Sequence, residues 1–250
     1  EPLIASLAEE GHGLSIAIMD SAFMTNGILD APHGYVAGVL RRVQDAGGLF
    51  IADEVQSGFG RMGTHMWGHQ HHGIVPDAVT IGKPAGNGYP LGAIITRAEI
   101  LERFTAETGP FFSTFGGGNA ACAAGMAVLD VMQHEHLLAN SLHTGSILRS
   151  GLKSLMEKHH VIGDVRGAGL ATGVELVRDR TTREPLAAAG IINRLKDEGV
   201  LVGSDGKLGN VLKIRPPLVF STAHAGLVVS ALDRVLAAVG RTCEPSRNTL

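Results

Sequence analysis

The chain has 250 residues, 44% of them hydrophobic and 18% charged, with a formal net charge of -3. That much apolar chain suffices for one large or two modest domains with their own cores, and a slightly acidic balance without a basic run argues against a nucleic-acid or membrane-surface partner, because phosphate binding needs clustered Lys and Arg. The two cysteines, Cys122 and Cys243, lie far apart and outside any metal-type spacing, which fits a reducing compartment with no disulfide; no long apolar run or basic-then-apolar leader marks export or membrane insertion.

In chain order, residues 14–19 read as a buried strand, and 34–46 place Val36, Val39, Leu40 and Val43 at helical spacing before Gly47-Gly48. The apolar run 49–52 fits a buried strand, and Asp53 stands at its end, where open α/β sheets carry their sites. A second strand-like run, 78–81, ends in Gly82-Lys83-Pro84. Lys83 therefore occupies the corresponding end of another strand, and the proline after it predicts extended backbone there. Asn87-Gly88 predicts a tight turn before a strand at 91–96 and a short helix near 97–105. The first half thus predicts an α/β fold with a mostly parallel, helix-covered sheet.

Gly116-Gly117-Gly118-Asn119 opens a predicted helix over 119–133, and a second runs from 137 to 157. Strands are predicted near 161–166, 170–177, 200 and 211, with helices near 185–198 and 222–238, which makes a small α+β domain. The division expected is 1–135 as a large domain, 136–158 as a linking helix, 159–240 as the small domain and 241–250 as a frayed tail.

Asp53 and Lys83 lead the chemistry: a buried carboxylate, and an amine that can form an imine if it is held in place and desolvated enough to lose its proton. The plainer alternatives are a turn-capping aspartate and a solvated lysine in a glycine-rich loop. Thr114 precedes a helix start and offers a hydroxyl beside backbone N–H groups suited to a phosphate, the alternative being a plain N-terminus capped by Asn119. Lys213 and Arg215 fall on one face of a predicted strand and suggest an anion, the alternative being a solvated edge strand. His65, His69, His71 and His72 lie in a glycine-rich loop with no cysteine or paired carboxylate, so no metal site is expected. The GAGLATG stretch at 167–173 stands between two strands with no helix to receive a pyrophosphate, so it reads as a strand connection.

DEVQSGFGR at 53–61, PDAVTIGKPAGNGYPLGA at 76–93, FSTFGGGNAACAAG at 112–125 and IRPPL at 214–218 together resemble the signature of class III aminotransferases, which use pyridoxal phosphate. The resemblance covers nearly the whole chain and implies a fold-type I enzyme, here part of the large domain plus the small carboxy-terminal domain. It implies Lys83 as the Schiff-base residue and Asp53 against the pyridine nitrogen. By the same resemblance Val55 packs on one ring face and Gln56 meets the phenolic oxygen. Thr114 reaches the neighbouring subunit's cofactor, which implies a homodimer with shared active sites. Lys213 matches an arginine that grips the substrate carboxylate; a lysine there, with Arg215 nearby, departs from that pattern, because a point charge does not make a bidentate clamp.

Asp20-Ser21 also departs, standing where most members have glutamate and proline. With KPAGNGYP and LKIRPP it resembles the branch containing ethanolamine-phosphate phospho-lyase and kinase-fused aminotransferase modules, where the basic pair would hold a phosphate. The expected function is amino transfer from an amine or amino acid to a 2-oxo acid, in the cytoplasm. Elimination of phosphate from an amino-alcohol phosphate stays open. So does a non-catalytic dimerisation fragment: the chain opens on Glu1-Pro2, and the family's glycine-rich phosphate turn and ring-stacking aromatic have no counterpart in it.

Overall fold

A computed structural model describes residues 2–242, which fall into two compact units: 2–22 with 31–138, and 23–30 with 139–242. In the first unit, β1 (Ile16–Asp20), β2 (Leu49–Asp53), β3 (Ala78–Ile81) and β4 (Ala93–Thr96) form one sheet in that order. β1 and β2 are parallel, as are β2 and β3, while β4 runs antiparallel to β3. The registers pair Asp20 with Asp53 and Asp53 with Thr80, so three polar residues line up across the carboxyl ends of the parallel strands.

Helix α1 (Pro2–Glu9) precedes the sheet, and α2 (Tyr35–Asp45) links β1 to β2, burying Val36 and Val43. The strand expected to be buried at 14–19 is instead the sheet's edge strand, with Ile16 and Ile18 more than half exposed. An apolar run reports a strand; it does not report whether both faces are covered. Asp77 fastens these elements from within. Its carboxylate accepts the Phe50 N–H at 2.8 Å and the Gln44 side-chain amide at 3.2 Å, and it pairs with Arg97 at 2.9 Å.

The short helix α3 is Gly68–His71, and α4 (Ala98–Thr108) and α5 (Asn119–His134) follow the sheet. Asn87 and Gly88 both have positive φ, 44° and 109°, and Tyr89 N–H closes on Gly86 O at 3.0 Å, the backbone of a type I′ turn. Gly125 on α5 lies where a Cβ would come within 2.9 Å of the Leu91 side chain and 3.5 Å of Ala85 O, so its missing side chain lets the helix close on the loop that carries Lys83.

In the second unit, β5 (Ile162–Ala168), β6 (Ala171–Leu176), β8 (Val211–Ile214) and β7 (Gly203–Asp205) form an antiparallel sheet in the order β5-β6-β8-β7. Helices α6 (Leu137–Lys158), α7 (Ala189–Asp197) and α8 (Thr222–Thr242) share one core with it, built from residues such as Leu152, Ile162, Leu176, Leu195, Leu212 and Leu232. The GAGLATG stretch forms the β5–β6 hairpin connection and the strand residues beside it. Arg166 ties residues 23–30 to this unit, donating to Gly27 O and Ile28 O, each at 3.1 Å. Leu212 has no exposed surface; Leu212→Ala is expected to lower unfolding stability by ~2–5 kcal/mol, measured by chemical denaturation.

No helix among the described residues is long and apolar enough to cross a membrane. The tail from residue 243, with Cys243, lies outside the described residues.

Candidate active site

The carboxyl edge of the parallel strands gathers the leading candidates. Asp53 closes β2 and is half-buried, not buried as expected. Its Oδ1 accepts the Val55 N–H at 3.0 Å and the Thr80 hydroxyl at 3.3 Å. Among the described residues Oδ2 accepts no hydrogen bond, so one carboxylate oxygen is fixed by the protein and the other is left for a donor.

Lys83 follows the adjacent strand β3 and is exposed. Its backbone is not extended: φ is 32°, and it opens a 3-10 turn, Lys83–Ala85, closed by Ala85 N–H on Gly82 O at 2.9 Å. Pro84 imposes its fixed φ inside that turn, and the turn, not the dipeptide preference, sets Lys83. A non-glycine residue on the positive-φ side costs ~1–3 kcal/mol and persists where the surroundings over-determine it. The chain's own packing does not desolvate the amine: Lys83 is exposed, although Ala85 two residues on is buried. Val55 approaches that loop: a Cβ on Gly82 would lie 3.6 Å from a Val55 methyl. Gln56 is next in the chain and also half-buried.

The carboxylate buried next to Asp53 belongs to Glu54, which the sequence reading passed over. It is wholly buried and accepts hydrogen bonds from Ser57 Oγ, Gly68 N–H and His69 N–H, each at 2.7 Å, and from His69 Nδ1 at 2.9 Å. Burial pushes its carboxyl up, and these hydrogen bonds, the His69 ring first, outweigh that and hold it below the usual carboxylate range. The signal for it was present: strand alternation puts Glu54 on the same face as the buried Phe50 and Ala52, and puts Asp53 on the other.

The remaining candidates fall elsewhere. Thr114 is exposed, within an exposed stretch that includes Phe111, Phe112 and Phe115. The residue capping α5 is Gly118 with no side-chain hydrogen bond, so Asn119 is the first helical residue and not the cap. Lys213 and Arg215 line one cavity of about 540 Å³ with Pro216, Phe220 and His224, but the strand ends at Ile214, so Arg215 lies beyond it. Nor is Lys213 an uncommitted cation. The β7–β8 ladder brings Asp205 beside it, and Nζ pairs with that carboxylate at 2.5 Å.

The histidines go separate ways. His69 bonds Glu54, His72 bonds Ser21 O at 2.7 Å, and His65 and His71 share Thr64 Oγ1. No metal-ligating group of three or more His, Cys, Asp or Glu occurs among the described residues.

The fold is that of the fold-type I pyridoxal-phosphate enzymes. The family model for class III aminotransferases matches residues 17–236, and the chain belongs to that family, whose cofactor is pyridoxal phosphate. Relatives include a protein named alanine–glyoxylate aminotransferase 2 homolog 2, mitochondrial, from Arabidopsis thaliana, 47% identical over 83% of this chain and 43% of its own length. Another, named ethanolamine-phosphate phospho-lyase homolog 1, from Caenorhabditis elegans, is 46% identical over 84% of this chain and 46% of its own. Among solved structures, a phospholyase from Arthrobacter in complex with phosphoethanolamine superposes with a TM-score of 0.91 at 44% identity, over 95% of this chain and 56% of that one. The chain therefore spans about half the length of the relatives it matches.

Proposed function

We propose that this chain carries the lysine and the ring-nitrogen carboxylate of a pyridoxal-phosphate-dependent aminotransferase, which moves an amino group from an amine or amino acid to a 2-oxo acid. The observation that carries this reading is Asp53 and Lys83 at the carboxyl ends of two adjacent parallel strands, with Asp53 Oδ2 unclaimed by the protein. When bound, the cofactor supplies an electron sink for the pair of electrons left by bond cleavage.

The residues present fit that group. Asp53, anchored through Oδ1, would offer Oδ2 to the ring nitrogen, and its negative charge would keep that nitrogen protonated. Val55 offers an apolar surface beside the loop of Lys83, and Gln56 a side-chain amide for the phenolic oxygen. Lys83 Nζ is the nucleophile that would hold the cofactor covalently, and as a neutral amine it is the base that takes and returns a proton.

A homodimer belongs to this reading. The exposed phenylalanines around Thr114, up to 90% exposed at Phe115, support an interface there, and a covering subunit would supply the desolvation that Lys83 lacks. Sparse, distant cysteines support a reducing compartment, and we assign the cytoplasm.

A second reading, elimination of phosphate from an amino-alcohol phosphate, is favoured by the likeness to the phosphoethanolamine-bound phospholyase and by the cavity that holds Lys213 and Arg215. One assay separates the two. Amino transfer that requires a 2-oxo acid is expected; phosphate released from phosphoethanolamine with no acceptor present would replace the aminotransferase reading.

A further inference from the structure

Glu54 and His69 form a buried pair that the proposed chemistry leaves unused. Glu54 sits directly between Asp53 and Val55, and every hydrogen bond given to its carboxylate comes from residues 57–69. A carboxylate taken wholly out of water is costly unless its lone pairs are filled, and here four donors fill them. The backbone has been drawn in to make this so. A Cβ on Gly68 would come within 2.6 Å of Ser57 Cβ and 3.1 Å of Glu54 Oε2, so only glycine lets that N–H reach the carboxylate. A Cβ on Gly58 would meet Glu54 O at 2.8 Å and the Trp67 ring at 3.0 Å, so the loop is tight on its other side as well.

The consequence passes to Asp53 through one peptide. The Val55 N–H that fixes Asp53 Oδ1 belongs to the residue immediately after Glu54. With the Glu54 side chain clamped on the buried face of β2, the peptides on either side of it cannot turn, and the Val55 N–H stays aimed at Asp53. We propose that Glu54, held by His69, is a positioning residue for Asp53: it locks the turn 53–55 so that the carboxylate presents its second oxygen in one orientation. Glu54 touches neither substrate nor cofactor in this role, and His69 acts only through Glu54. The carboxyl of Glu54, held below its ordinary range, stays ionised at neutral pH, as the clamp requires. The proposal rests on the assignment of Asp53 to the cofactor's ring nitrogen.

The test uses His69→Phe, which keeps the ring volume and removes the donor, and His69→Asn, whose amide can take the place of Nδ1–H; Glu54→Gln is the more severe variant. Amide hydrogen exchange at Val55 in the full-length protein without cofactor is read beside the dissociation constant for pyridoxal phosphate and the absorbance maximum of the bound form. In His69→Phe, Val55 exchange is expected to rise about tenfold, with pyridoxal phosphate bound about tenfold more weakly and its absorbance band shifted, and His69→Asn is expected to restore all three. Val55 exchange unchanged in both His69→Phe and Glu54→Gln, at melting temperatures showing both variants folded, overturns the positioning role. Faster exchange reversed by His69→Asn, with cofactor affinity and absorbance untouched, leaves the clamp standing and overturns the assignment of Asp53.

Discussion

Lys83→Ala in the full-length protein is expected to reduce turnover by at least roughly a hundredfold, the lower end of what a positioned proton carrier contributes, and to abolish covalent retention of pyridoxal phosphate. The effect is expected to be chemical and not structural. Lys83 is exposed, and its side chain makes no hydrogen bond or ion pair among the described residues, so the melting temperature should shift by no more than an exposed substitution allows, within about 0.5 kcal/mol of stability. The unusual backbone at φ 32° belongs to the turn and is inherited by alanine. Steady-state turnover measured beside a thermal melt checks both halves. A variant that melts normally yet retains covalent cofactor at some other lysine would move the anchor away from position 83.

Asp53→Asn is expected to cost about a hundredfold or more in turnover, for a reason visible in the hydrogen bonds. The amide oxygen of asparagine can still accept from the Val55 N–H and the Thr80 hydroxyl, so the turn is preserved. The other position, where Oδ2 now stands, becomes a neutral N–H donor, so no negative charge remains to keep the cofactor's ring nitrogen protonated, and the electron sink is weakened. Weaker cofactor binding together with lower turnover, at an unchanged melting temperature, is the expected pattern, read by cofactor titration and kinetics. Full activity in Asp53→Asn would mean that the carboxylate has no part in the electron sink.

These expectations came in part from the sequence, and the residues show where its reach ended. The strand ends at Asp53 and Lys83, the Asn87-Gly88 turn and the helix from Asn119 were legible because each has a local cause: an apolar run that stops, a pair of residues that accept positive φ, a glycine-rich break. What failed depended on neighbours distant in sequence. Ile16 and Ile18 share one face of β1, and whether that face is covered is decided by packing from elsewhere, which these residues do not record. The charge of Lys213 is met by Asp205 across a ladder whose register local pattern does not give. Lys83 broke a dipeptide rule because a closed turn outweighs a preference. Glu54 is the instructive case. Alternation along β2 would have placed it inside, yet its partners Gly68 and His69 lie across a loop with no regular period, and only the fold brings them together.

The central claim is that Lys83 is the residue to which the cofactor is joined, and labelling tests it most directly. The protein is incubated with pyridoxal phosphate, reduced with borohydride, digested and mapped by mass spectrometry. The expected result is a reduced adduct on the peptide containing Lys83, with Lys153, Lys158, Lys196, Lys207 and Lys213 unlabelled or only sparsely labelled. Adduct spread evenly over these lysines, or absent from Lys83 while present on another, would contradict it.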